Sequence, residues 1–371
     1  MGIEGTVCRS VLQRCSRCIA VLNVMATNME VYSRRKRVVC AYVSHPLVSS
    51  RLLKGAFATM FIDLREDESK FCYYFRMSIK SFDELATKLN VSIRNKDTVM
   101  RLTIPPLEML VVALRYLGCS CTLLDLHYQY RIGHTTLCKI VRALCKAVLD
   151  TMRKECIPNF TVERWVENSK VFEKHANFPN CLGALDGKHV RIFFNYKHFN
   201  YVARLVVVDA NCLFNYIAVG SHGREQDSTI LENSKLYGLL ENGQANIPHG
   251  KPLPDTTEPS RPYTGTIVFY KKRIFNYRLC NTRRYMKCTN KWRIFHRPIN
   301  VKLDFALSMI NCCCILHNYV RSRDGGNFED TLSVIGLCDQ DNTHPSTQGG
   351  SALKRRRNVF ANYFISGDNC I

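Results

Sequence analysis

Acidic side chains are scarce in this 371-residue chain: 31 Asp and Glu stand against 52 Lys and Arg, for a formal charge of +21 and a pI near 9.3. So one-signed a composition argues against a surface built for cationic ligands and makes a polyanion, with nucleic acid the commonest, the first expected partner. The sequence also lacks an uninterrupted apolar run of membrane-spanning length, because the candidate near the start is broken by Arg14 and Arg17. No membrane partner is therefore expected. Cys15-Ser-Arg-Cys18 has no second CxxC and no paired His after it, which leaves a zinc site with half its ligands. With no secretory signal, the 19 cysteines fit a reducing compartment, most of them acting as small buried hydrophobes, Cys312, Cys313 and Cys314 among them. No internal repeat is visible.

What is present is globular in balance, with 46% hydrophobic and 22% charged residues. Residues 1–60 read as a basic, irregular arm. Ser33-Arg-Arg-Lys-Arg37 and Lys354-Arg-Arg-Arg357 resemble nuclear import clusters, so the expected location is the nucleus; a mitochondrial presequence over Cys8 to Arg37 is the alternative. From 61 to 178 the apolar spacing is helical, with helices expected over Ser78–Leu89, Pro105–Leu117, Thr122–Tyr130, Thr135–Met152 and Thr161–Lys174. After Asn180 the pattern changes to three short β-rich runs, "CLGALDGKHVRI", "YVARLVVVDA" and "LFNYIAVG", as in an antiparallel meander. Asp227 then opens an amphipathic helix to about Leu240. A Pro- and Gly-rich loop, a short run "TIVFY", a basic helix from Lys271 and a hydrophobic helix over Leu303–Val320 follow, and residues 326–371 form a tail.

Thr122 to Arg142 has the shape of a helix-turn-helix: a helix ending near Tyr130, Gly133 for the turn, Thr135 or Thr136 as a cap, and His134, Lys139 and Arg142 on the second helix's outer face. A plain packed helical hairpin fits the same residues. Arg273, Arg278, Arg283 and Arg284 lie among aromatics and close to Lys271, Lys272, Lys287 and Lys291, a mixture suited to phosphate contact. A solvated helix face is the simpler reading of that run alone. The remaining signal is acidic. Asp186 sits inside an apolar strand, Asp209 ends the second strand and Asp227 follows the third, so the three could converge on a divalent cation at one sheet edge. Equally, Asp209 could shape a hairpin and Asp227 cap a helix.

The segments "NFPNCLGALDGKHVRI", "NYKHFNYVARLVVVDAN", "VGSHGREQDSTILENSKL", "KRIFNYRLCNTRRY", "NKWRIFHRPINV" and "CCCILHNYVRSRDG" together resemble the Harbinger/PIF transposases and their domesticated nuclease relatives, in order from about Phe61 to Asn362. The resemblance implies an α/β architecture: a helical region with a helix-turn-helix (61–178), then a truncated RNase H-like DDE domain with a mixed sheet flanked by helices (179–325). It also implies DNA as substrate, Mg²⁺ or Mn²⁺ as cofactor, phosphodiester hydrolysis and strand transfer as chemistry, and a separate DNA-binding protein as partner. Asp186, in "LDG", matches the first catalytic acid. Where the family's second and third acids are expected, this chain has Lys271 or Lys272 and Lys287, and short segments are missing there and after Ile192. A like-signed ammonium about 4 Å from a divalent ion opposes it by about 4 kcal/mol per unit charge. The expectation is a transposase-derived protein with impaired cleavage and surviving DNA binding. The alternatives are a weak nuclease using Asp186 with Asp209 or Asp227, and a decayed copy or protein-docking remnant.

Overall fold

The computed structural model describes residues 45–94, 103–176, 180–193, 199–222, 227–248 and 291–325. Within them, helices dominate and surround a small three-stranded antiparallel sheet, consistent with the expected α/β class.

Three one-turn helices come first, α1 (Pro46–Ser49), α2 (Arg51–Lys54) and α3 (Ala56–Thr59), so the irregular arm expected to reach residue 60 ends earlier. Their burial explains why. Ala56 and Phe57 enter the main core, and Phe57 stacks on Phe61 with ring centroids 5.1 Å apart. Arg51 also forms an ion pair with Glu108, a carboxylate buried in the helix above; burial raises the Glu108 carboxyl and the Arg51 cation opposes that shift. Phe61, Phe71, Phe75 and Phe82 complete an aromatic cluster drawn from α4 (Phe61–Glu66), α5 (Glu68–Phe75) and α6 (Ile79–Ile93). Edge-on and tilted rings at these separations suit the aromatic quadrupole.

The expected helix starts at Ser78 and Thr122 are where the side chains cap. The Ser78 side chain accepts from Ser81 N, and buried Phe82, Leu85, Leu89 and Ile93 follow at helical spacing in α6. The Thr122 and Asp125 side chains and backbones exchange hydrogen bonds at the start of α8 (Leu123–Tyr130). Between them lies α7 (Pro106–Gly118), apolar and buried around most of its circumference. α9 (His134–Cys156) is the long amphipathic helix, followed by α10 (Val162–Ala176).

The sheet runs β1 (Ala184–Phe193), β2 (Phe199–Val208) and β3 (Phe214–His222) in sequence order, with β2 in the middle. Every ladder is antiparallel; one isolated parallel bridge, Ile192 to Ile299, touches the outer edge of β1. β2 is buried on both faces, which accounts for its unbroken apolar run. Val202, Val206 and Val208 face the main core, while Ala203, Leu205 and Val207 meet Ile230, Leu231 and Leu236. Those last three come from α11 (Asp227–Glu232) and α12 (Lys235–Glu241), two short helices where one was expected. The break falls at Ser234, whose side chain accepts from Tyr237 N and starts a new helix.

The last described helix, α13 (Leu303–Asp324), is long and apolar enough by length and composition to cross a membrane, contrary to the expectation that no such run exists. Its most apolar stretch is 72% buried within the fold, as a core helix requires. It packs on α9 and on β3, so the helices before residue 179 and the strands after it share one core. Asn318 stitches the two together: its Oδ1 accepts from Phe214 N at 2.8 Å, and its Nδ2 donates to Phe214 O at 2.8 Å and Cys156 O at 2.9 Å. Cys312, Cys313 and Cys314 are fully buried thiols, as expected of small hydrophobes.

Candidate functional site

Asp186 lies on β1, an outer strand, with its Cα opposite Val206 of the middle strand. Asp209 stands one residue beyond the Ala184 to Val208 pair. It is thus about 10 Å from Asp186 along the ladder at roughly 3.4 Å per residue.

The Asp209 carboxylate is 5% exposed, and its chemistry there is local. Oδ1 accepts from Asn211 N at 2.9 Å and from Leu213 N at 2.8 Å. The backbone closes the same turn, with Cys212 N donating to Asp209 O and Asp209 N to Leu213 O. Cys212 takes the left-handed region at φ 66° that a turn this tight demands. The turn is then pinned to α13: the His317 ring Nε2 is 3.0 Å from Cys212 O, and Arg321 Nε donates to Asn211 O at 3.1 Å. Burial pushes the His317 imidazole down to about 3, with Lys291 adding to the shift, so this histidine is neutral. Asp209 also supports the Arg164 cation against its own burial, and Arg164 donates to Asn215 Oδ1 at 2.6 Å.

Asp227 is the first residue of α11, five residues past the last described position of β3. The structure therefore places Asp209 in a hairpin turn, the simpler placement read from the sequence, while the Asp227 side chain lies outside the described residues. Among the described residues no group of three or more His, Cys, Asp and Glu could hold a metal ion. Asp209 gives one oxygen to two backbone amides, and the Asp186 side chain, like that of Asp227, lies outside the described residues.

A different surface is free. α8 and α9 meet through Arg131, Ile132 and Gly133. The left-handed residue of that turn is Arg131, at φ 55°, not Gly133, whose φ is −56° and whose added Cβ would meet only Thr136 Oγ1 at 3.7 Å. α9 starts at His134 with Gly133 in the capping position, so neither Thr135 nor Thr136 caps it. The turn is braced from the N-terminal segment, as Arg131 donates to Lys54 O at 3.2 Å and to Ser50 Oγ at 2.5 Å. His134, Lys139, Arg142 and Lys146 are exposed along the outer side of α9. Arg142 is held there by Phe305 of α13, its guanidinium carbon 4.0 Å from the ring centroid. Sequence reasoning found Lys139 and Arg142 but not this aromatic support, which comes from a residue far along the chain. Arg273, Arg278, Arg283 and Arg284, with Lys271, Lys272 and Lys287, lie outside the described residues, as do Cys15, Cys18 and both basic clusters.

Against known proteins, the family model described as DDE superfamily endonuclease matches residues 183–318, from just before β1 into α13. This chain carries a DDE superfamily endonuclease domain. The domain takes in all three strands and most of the helix that joins them to the helical half. Protein ALP1-like of Arabidopsis thaliana is 23% identical over 306 residues, covering 71% of this chain and 73% of that protein. No solved structure matches the chain. DDE superfamily endonucleases generally use divalent metals, which is the chemistry the resemblance to Harbinger/PIF transposases implies.

Proposed function

We propose that this chain is a transposase-derived DNA-binding protein of Harbinger type, acting in the nucleus, whose RNase H-like endonuclease domain has little or no metal-dependent cleavage. The observation that carries the reading is the division of charge. Asp209 spends an oxygen on the β2–β3 turn, while Lys139, Arg142 and Lys146 present an uninterrupted cationic face on the helix that follows the α8–α9 turn. In a helix-turn-helix the second helix enters the major groove, and side chains near its start reach the bases. His134, Lys139 and Arg142 occupy that part of α9. Lys271, Lys272 and Lys287, at sequence positions where the family resemblance expects acids, support loss of cleavage, and Arg273, Arg278, Arg283 and Arg284 would add phosphate contacts. The basic clusters at Ser33–Arg37 and Lys354–Arg357 support nuclear import, and a separate DNA-binding protein remains a proposed partner.

The test uses the full chain and two duplexes, one selected for binding and one random, titrated over a range of salt. Affinity should fall with a log-log slope of about −0.9 per phosphate neutralised. Lys139→Ala and Arg142→Ala should narrow the gap between the two duplexes, and Arg278→Ala and Arg283→Ala should weaken both alike. Equal affinities that neither of the first two substitutions changes would reject the recognition helix. Separately, Mg²⁺- or Mn²⁺-dependent cleavage should not exceed that of Asp186→Ala; robust cleavage lost in that variant would restore the nuclease reading.

A further inference from the structure

Outside the acidic strand and the basic helix face, Cys119-Ser-Cys121 connects α7 to α8. Its two sulfurs lie 2.7 Å apart, and Cys121 N donates to Cys119 Sγ at 3.4 Å. Both thiols are partly exposed, with exposed Ser120 between them, so a small molecule reaches them from solvent. Two cations act on both thiols, Arg115 and Arg297. Arg115, one turn back on α7, is 3.9 Å from the ring centroid of Tyr74, and Arg297 is 5.6 Å from that of Tyr116. The stacking rings fix where the positive charges sit.

From this juxtaposition of paired sulfurs and fixed guanidinium groups we propose that Cys119 and Cys121 form a dithiol modification site, oxidised to an intramolecular disulfide by a low-molecular-weight disulfide such as oxidised glutathione. The Cys119 thiolate attacks one sulfur of the small disulfide, forms a mixed disulfide and releases the first small thiolate. The Cys121 thiol loses its proton and attacks the Cys119 sulfur, expelling the second. The two protons from the protein thiols end on the two small thiols, and two electrons pass from the protein to the oxidant. Residues two apart are at most about 7 Å apart between Cα atoms. A disulfide accepts about 4.4 to 6.8 Å, so this spacing lies within reach of the bond.

The backbone amide that Cys121 donates to Cys119 Sγ favours Cys119 as the attacking thiolate. Pairing with Cys121 holds the Cys119 thiol below the usual thiol range; burial opposes that, and Arg115 and Arg297 reinforce it. The same pairing, with burial, raises Cys121, which fits it as the resolving thiol. Tyr74 and Tyr116, the nearest phenols, are themselves raised by burial and stay neutral. Elsewhere burial pushes the Cys156 thiol up to about 11 and Cys72 up to about 12, so neither competes at neutral pH.

Full-length protein is incubated with oxidised glutathione, acid-quenched, alkylated and mapped by mass spectrometry. The peptide carrying Cys119 and Cys121 should lose two hydrogens at oxidant concentrations that leave Cys156 alkylatable. Cys121→Ser should trap Cys119 as the glutathione mixed disulfide, and Cys119→Ser should leave Cys121 as a free thiol. Because either variant could disturb the start of α8, wild-type alkylation is also followed against pH. Cys119 should react about tenfold or more faster than Cys156 at pH 7. Trapping at Cys121 instead of Cys119, or a pair that stays alkylatable while Cys156 is oxidised, would overturn the proposal, as would matching pH profiles for Cys119 and Cys156.

Discussion

The outer face of α9 and the β2–β3 hairpin treat polar side chains in opposite ways. On α9, Lys139, Arg142 and Lys146 stand in solvent, and the one tertiary contact described among them, Phe305 beneath Arg142, leaves the charge exposed. At the hairpin, Asp209 is sealed in, with two backbone amides on one oxygen, and His317 and Asn318 bond the neighbouring backbone. Exposed charge is available to a partner, whereas buried polar groups in satisfied networks are committed to the fold. Among the described residues, Asp209 is directed to architecture, and Lys139, Arg142 and Lys146 form an exposed cationic row on a helix outside the matched stretch.

Substitutions at four positions test that contrast, in descending order of expected effect. Asn318→Ala removes three hydrogen bonds at the junction of the helical half and the sheet and strands the buried Phe214 amide. It should cost about 3 to 5 kcal/mol in urea unfolding, at about 1 to 3 kcal/mol per buried group left unpaired. Asp209→Ala should cost about 2 to 3 kcal/mol on the same basis of charge-assisted bonds, and Asp209→Asn, which keeps an acceptor oxygen, should recover much of it. Both Asp209 variants losing no stability would free that carboxylate for another role. The third concerns pH. His317 binds its proton only at about pH 3 in the fold. In the unfolded chain a histidine does so near pH 6.5, so the stabilisation is present above 6.5 and lost as pH falls. Stability should drop by about 1.4 kcal/mol per pH unit between pH 6 and pH 4 from this group alone, and His317→Gln should flatten that slope. The smallest effect is expected on α9, where Lys139→Ala should change stability by less than about 0.5 kcal/mol while lowering the salt slope of DNA binding by about 0.9. A Lys139 variant that unfolds the protein would break the contrast from the other side.

Much of the scaffold is legible in the sequence because its determinants are local. Ser78 and Thr122 announce helix starts through their own side chains, and the three β-rich runs become three strands in chain order. What escapes is long-range. Nothing near residue 50 signals that Phe57 will join a cluster with Phe82, or that Arg51 will pair with Glu108. The helix break at Ser234 competes with an apolar pattern that runs straight through it. The candidate site divides the same way: Asp209 as turn-former follows from Asp-Ala-Asn, but its pinning by His317 and Arg321 does not. Cys119-Ser-Cys121 is visible as a spacing, yet only the fold brings Arg297 to it.

One contact sets a timetable for the protein's birth. Asp324, at the end of α13, accepts from the backbone N and the hydroxyl of Ser78 at 2.8 and 2.7 Å, across 246 residues of chain. At roughly 5 to 20 residues per second, Ser78 is made about 12 to 50 s before its partner. Through that interval the start of α6 lacks this clasp, and the surfaces of α9 and β3 that α13 covers are open. A chain ending before Leu303 would therefore lack part of the packing of its first half as well as of its last.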